Sequence, residues 1–207
     1  MEHETLTFCL AGASLGLSAG LSPGPLLSLV LAQAVSHGTR EGIKVALSPL
    51  VTDAPILLAT WLVLSRLTGR PAILGLIALV GAGVLTRYAW DCFRPRRPAP
   101  DAPARVPHSL RRGVVANFCN PHPYLFWAAV GMPTLLAAAR VGPATPILFL
   151  ATFYATIVSA KICIAVLAGR FRIFLASRAY RLLMAGLGIS LLAFAAAFAR
   201  QGLAMLF

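Results

Sequence analysis

Uncharged runs long enough to cross a bilayer recur along this chain. Leu6 to Ser36 holds no acidic or basic residue, and Val45 to Ser65 holds only Asp53. Pro71 to Thr86 continues past Arg87 through Tyr88-Ala89-Trp90, and Gly113 to Ala139 is uncharged. Val141 to Gly169 holds only Lys161, and Leu182 to Ala199 closes the series. A hydrocarbon core takes about 20 apolar residues per helix. Backbone in lipid must satisfy its own hydrogen bonds, so such runs are helical. Arg87 sits near the end of its run, where it can snorkel to the interface. The pattern predicts an all-α, polytopic membrane protein with six transmembrane helices.

Composition agrees. The chain of 207 residues is 58% hydrophobic and 12% charged, and its mean hydropathy is +0.81. A globular domain carries about 25% charged residues, and a soluble fold of this size needs more polar surface than is available here. The 18 Lys and Arg against 6 Asp and Glu give a net charge of +12. Such an excess can serve nucleic acid, but its placement points to topology instead. Arg40 and Lys44 follow span one; Arg94, Arg96, Arg97, Arg105, Arg111 and Arg112 follow span three; Arg170, Arg172, Arg178 and Arg181 follow span five. The opposite side holds Arg66, Arg70, Arg140 and Arg200. The positive-inside rule puts the three richer loops in the cytoplasm and both termini outside, and no nucleic-acid partner is expected. The start, Met1-Glu2-His3-Glu4, is acidic where a signal peptide is basic. The first segment is therefore expected to stay in the membrane.

The stretch from Arg94 to Pro107 is rich in Pro and Arg and reads as an extended spacer. Residues 94–112 are expected to form a cytoplasmic linker between a first three-helix repeat, 1–93, and a second, 113–207. Three is odd, so the halves cross the membrane in opposite senses, as two inverted three-helix repeats.

Both halves open with a span that breaks the rules of lipid. Span one carries Ser22-Pro23-Gly24-Pro25, and span four carries Asn120-Pro121-His122-Pro123. Each proline removes a backbone donor and displaces the carbonyl four residues earlier. Freed carbonyls must face protein or a wet cavity. Broken spans at corresponding places point to a substrate site between repeats, in the cytoplasmic half or near the midplane. Gly12, Gly16, Gly20 and Gly24 recur every four residues in span one. They read as a ridge for close helix packing.

Asp53 in span two and Lys161 in span five each cost roughly 2.5–3.5 kcal/mol at a helix centre. They are expected to face the interior and to pair with one another or with polar groups. Asp53 lies between Pro49 and Pro55, which should distort span two around it. As a functional group, Asp53 alternates between a Lys-paired anion and a protonated acid; as a structural one, it only holds the fold. His122 reads either as a cap or as a proton or substrate ligand. Asn117 and Asn120, three apart, read as sharing one helix face. Tyr124 and Trp127 have the same spacing and form either an aromatic wall or packing. The cysteines Cys9, Cys92, Cys119 and Cys163 show no C-x-x-C and no His at ligand spacing, so no metal or cofactor is expected.

At these residues the chain resembles the lysine-exporter (LysE/RhtB) superfamily of small bacterial membrane transporters. Ser-Pro-Gly-Pro in span one, Asp53 and the string Asn120-Pro-His-Pro-Tyr-Leu-Phe-Trp127 carry the resemblance. That string and Lys161 resemble one branch in particular. The resemblance implies efflux of amino acids or related small metabolites across the bacterial inner membrane, driven by an ion gradient, often with homodimer formation. It places Pro23, Gly24, Pro25, Asn120, Pro121 and Pro123 at the broken helices and Asp53 as the buried acid.

A proton-coupled secondary exporter is thus expected rather than an enzyme, with a small-molecule substrate, protons and the lipid bilayer as partners. A transmembrane thiol-disulfide electron carrier would need a reactive cysteine pair beside the breaks. Cys119 adjoins the second break, but Cys9 lies about four turns from the first. A membrane-embedded enzyme would need a nucleophile-base spacing, metal motif or nucleotide loop, and none stands out.

Overall fold

Proline decides where the first hydrophobic run divides. The computed structural model describes residues 2–64, 71–93, 107–171 and 177–206. Helix α1 (Glu2–Leu21) stops short of Pro23, and α2 (Pro25–His37) starts with a proline at its first position, where a missing N–H costs nothing. Gly38 turns the chain with φ 99° into α3 (Thr39–Ala46), and α4 (Ser48–Leu64) follows almost at once. Next come α5 (Pro71–Phe93), α6 (Ser109–Phe118) and α7 (Pro121–Phe126). A π-helical segment, Trp127–Gly131, leads into α8 (Met132–Val141). Two long helices, α9 (Thr145–Phe171) and α10 (Ser177–Leu206), complete the fold.

Among the described residues there is no strand, and six helical stretches are long and apolar enough to cross a membrane. The protein is an all-α polytopic membrane protein. The expected span from Leu6 to Ser36 is two helices, because neither Pro23 nor Pro25 can donate to α1. The expected span from Gly113 to Ala139 is likewise divided, and its α6 portion is separate from the long stretch Pro121–Val141. Span two divides at Leu47, whereas α4 continues through Pro55. Ser109 to Arg112, placed in the linker by the sequence reading, already form the first turn of α6. The rest of that linker from Arg94 to Val106, together with Arg66, Arg70 and Arg172, lies outside the described residues.

Helix α9 is the post against which the first half of the chain is laid. A Cβ at Gly12 would overlap Thr152 and the Phe149 carbonyl, and one at Gly16 would overlap Thr156 and the Phe153 carbonyl. At Gly20 it would press on Ala160. The contacts climb both helices together, so α1 runs parallel to α9 with backbones in close approach. Further on, Gly42 of α3 meets both Ala34 of α2 and Ala165, and Thr39 meets Gly169. Thus α2 and α3 together continue along the same post beyond the break. The glycine ridge ends at Gly20: Gly24 stands in extended backbone after the break, and its missing Cβ would meet nothing nearer than the Ser22 carbonyl at 3.9 Å.

The second wall is the antiparallel pair α5 and α10. Gly75 and Gly202 approach backbone to backbone, and Phe93 covers Gly188 at the other end. Ala82, Leu85 and Ala89 of α5 and Leu187, Leu191 and Phe198 of α10 fill the core between them. Contacts at the two ends identify which connections lie together. At one end, Ser109 donates to Gln33 (3.0 Å), and Asp91 pairs with Arg112 (3.1 Å). Thr39 against Gly169 belongs to the same end. At the other, Thr5 bonds Thr145 (3.2 Å). The chain segments that flank the three arginine-rich connections therefore emerge at one end of the bundle.

Candidate functional site

Counting backbone partners shows what the first break requires. Ser22 N donates to Ser18 O (2.9 Å), closing α1, and Ser28 N donates to Gly24 O (3.0 Å), opening α2. In a continuous helix, Ala19 O would accept from residue 23 and Leu21 O from residue 25, but both are prolines. Gly20 O loses its partner as well, because the helix has ended. Buried carbonyls without donors are costly. Lys161 answers this: its Nζ donates to Ala19 O (3.3 Å) and Gly20 O (3.1 Å). The ammonium also lies at the C-terminal end of α1, the negative end of its dipole. Lys161 is 3% exposed.

The second break is capped by its own neighbours. Cys119 N donates to Val115 O (3.0 Å), and Asn120 N donates to Asn117 O (3.2 Å). Pro121 and Pro123 again remove the donors that a helix would supply. The Asn120 side chain caps α7 by accepting from His122 N (3.0 Å), and the Tyr124 hydroxyl donates to Phe118 O (3.0 Å). Cys119 O lies against Gly81 of α5, where no Cβ would fit. Asn117 and Asn120 do not share a helix face. Asn117 belongs to α6, while Asn120 stands in extended backbone with φ −99° and ψ 120°.

Asp53 projects from α4 between these two breaks and is 5% exposed. Asn117 Nδ2 donates to its Oδ1 (3.2 Å) and to the Thr52 hydroxyl (2.6 Å). The Thr52 hydroxyl is 3.3 Å from Oδ1 and shares its proton with Ser48 O (3.0 Å). Trp127 and Tyr154 stand close to the carboxylate, their rings 6.3 Å apart. The π-helical turn that begins at Trp127 shifts the helical register ahead of Pro133, a feature often found at functional sites. Of the two expected outcomes, pairing with one another or with polar groups, the structure shows the second: Asp53 bonds the neutral donors Thr52 and Asn117, while Lys161 bonds the end of α1. Asp53 is held from α4 and α6, and Lys161 from α1.

Both charges nevertheless face one cavity of about 670 Å³. Of the sequence-predicted residues, Pro23, Gly24, Pro25, Asp53, Asn117, Asn120, His122, Pro123 and Lys161 line it. Pro121 does not; it is buried at the first position of α7. Trp127 forms part of the wall, while Tyr124 serves the break instead. The His122 ring packs 5.7 Å from that of Phe198. Sequence reasoning missed Ser18, Ser22 and Phe194 in the lining and Thr52 and Tyr154 around Asp53. The spacing of Thr52 beside Asp53 was visible; Tyr154 lies on a different helix and carried no signal.

Among the described residues, no cluster of His, Cys, Asp and Glu has the makings of a metal site. A family model described as LysE type translocator matches residues 17–202. No curated protein and no solved structure matches the chain.

Proposed function

The chain belongs to the LysE type translocator family, whose members are transporters, and we propose that it is a proton-coupled secondary exporter of amino acids or related small metabolites. One observation carries the reading: two broken helices face a common cavity that also holds a buried acid and a buried base. Unwound backbone and Asn120 hold the substrate's polar groups. Asp53 takes up a proton from outside and releases it inside, its anion held meanwhile by Thr52 and Asn117. The glycine-lined contact of α1 with α9 lets one half rock against the other.

The arginine-rich end faces the cytoplasm by the positive-inside rule, which puts both termini outside, and the family resemblance implies the bacterial inner membrane. In this reading residues 1–93 and 113–207 are the inverted repeats, and the Asn120–Trp127 string and Lys161 mark a branch within the family. The test is efflux of loaded amino acids from proteoliposomes under an imposed pH gradient. Wild-type protein is expected to accelerate efflux only with the gradient, and a folded Asp53→Asn protein to lose that dependence. Full gradient-driven efflux by Asp53→Asn would remove Asp53 from the mechanism.

A further inference from the structure

Away from the central cavity, the flank of the bundle between α5 and α6 joins an apolar groove to a cluster of cations. Val80, Gly83, Val84, Arg87 and Asp91 recur at helical spacing and so share one face of α5. The first four of these, with Tyr88, line a groove of about 470 Å³ that Val115 of α6 closes on one side. Gly83 is its floor, since a Cβ there would meet nothing within 4 Å. Helix α6 runs antiparallel alongside, with Cys119 O against Gly81 and the Tyr88 hydroxyl donating to Arg112 O (3.3 Å). The groove follows α5 for about 10 Å and ends at Arg87, toward the end of the bundle where the arginine-rich connections emerge.

That end is built to hold an anion. Asp91 pairs with both Arg87 (3.5 Å) and Arg112 (3.1 Å), so one carboxylate positions two guanidinium groups and neutralises one. Arg112 is also steadied over the Tyr88 ring, 5.5 Å from its centre. Arg111 adds a third positive charge in the same turn of α6. The N-terminus of a helix is the positive end of its dipole, where acidic groups are favoured. Yet the first turn of α6 carries two arginines, no acidic residue and no side-chain cap. An anion from outside the chain would satisfy all of these groups together.

We propose that this groove binds an anionic phospholipid, one acyl chain lying over Gly83 and the phosphate held by Arg87 and Arg112. Basic pockets between membrane helices take lipid headgroups in this way. A choline headgroup would bring its own ammonium against the arginines, so a lipid of net negative charge is selected. The site stands independently of the exporter reading.

Lipid retention by the purified full-length protein in a neutral detergent tests this, read by native mass spectrometry and thermal unfolding. The probes are dioleoyl phosphatidylglycerol, dioleoyl phosphatidylcholine and glycerol 3-phosphate. Phosphatidylglycerol should bind at least about fivefold tighter than phosphatidylcholine and raise the unfolding temperature. Glycerol 3-phosphate, which has the anion but no chain, should do neither. Arg87→Gln should weaken phosphatidylglycerol about fivefold, the effect of one arginine near a membrane surface, whereas Arg200→Gln, at the opposite end, should not. Gly83→Leu grows into the open groove and should weaken phosphatidylglycerol several-fold while leaving the lipid-free unfolding temperature unchanged. Equal binding of the two lipids to the wild type overturns the proposal, and this comparison needs no variant. Glycerol 3-phosphate binding as tightly as the lipid overturns it too, because the anion alone would then suffice. Phosphatidylglycerol binding that survives both Arg87→Gln and Gly83→Leu places the lipid elsewhere and overturns this site. A wild-type dimer that retains no lipid would put a second copy on the groove and overturn it as well.

Discussion

Replacing Gly16 by alanine probes the α1–α9 contact most directly. A Cβ there overlaps the Thr156 hydroxyl and the Phe153 carbonyl oxygen. The hydroxyl can rotate, but the carbonyl is helix backbone and cannot. Reaching van der Waals distance therefore moves α1 away from α9 on the order of 1 Å, and a gap of 0.5–1 Å forfeits a quarter to a half of each pairwise dispersion well. Overpacking of this kind costs about 1–3 kcal/mol, and the better helix propensity of alanine returns about 0.5–1 kcal/mol. Lipid offers no hydrophobic penalty to push the helices back together. A net loss of roughly 1–2 kcal/mol is expected.

Gly24 is the built-in control, because it belongs to the same four-residue spacing. Its φ of −168° is open to any residue, and the nearest atom to an added Cβ is 3.9 Å away. Gly24→Ala should change stability by less than about 0.5 kcal/mol. Thermal unfolding of the purified proteins in one detergent, followed by loss of the monodisperse fraction, compares the two. Equal destabilisation at Gly16 and Gly24, or none at Gly16, would refute the packing argument.

A second glycine pair behaves alike on α5. Gly81→Ala should lose about 1–3 kcal/mol, since a Cβ would overlap Cys119 O and crowd Phe198, whereas Gly83→Ala meets nothing within 4 Å and should be neutral or slightly stabilising in the same unfolding assay. Replacing all four cysteines by Ala or Ser should leave gradient-driven efflux intact, because the exporter reading gives no thiol a chemical role; loss of efflux from a folded cysteine-free protein would favour electron transfer. Pro23→Ala returns an amide donor to Ala19 O, so Lys161→Gln should be less destabilising in that background. A double-mutant cycle on thermal stability should show coupling of about 0.5–3 kcal/mol, and additive effects would mean that Lys161 does not serve that carbonyl.

What could be read along the chain was whatever a residue carries by itself. An apolar run long enough to span, a proline without an N–H and a charge inside lipid are local facts, so six spans, two breaks and the pair Asp53 and Lys161 were legible. Partner choice was not. Whether Lys161 meets Asp53 or the end of α1 depends on the register in which α1 lies along α9, which no periodicity encodes. The glycine ridge looked four residues long because spacing assumes a continuous helix, and the break at Ser22 takes Gly24 off that face. Asn117 and Asn120 were paired on the same assumption and separated by the same kind of break. Trp127 and Tyr154 come close to Asp53 from a π-helical turn and a neighbouring helix, neither of which leaves a pattern in sequence. The start of α6 had a signal that was passed over: Ser109 comes two residues after Pro107 and leads an amphipathic stretch.

Two features that look independently expensive in a membrane offset one another here. A lysine at a helix centre costs roughly 2.5–3.5 kcal/mol, and each buried carbonyl left without a donor costs about 1–3 kcal/mol. Pro23 and the end of α1 create two such carbonyls at Ala19 and Gly20, and Lys161 supplies donors to both. Removing the lysine leaves the acceptors unpaired, and straightening the helix leaves the ammonium unpaired, so either change alone is worse than the combination. The same logic fixes the lysine opposite the break, about 24 Å along α9 from Thr145. One donor is left over, at the point where the cavity begins. A charge that the fold requires for its own backbone is thereby also presented to whatever enters from the chamber, with its direction set by the two carbonyls it holds.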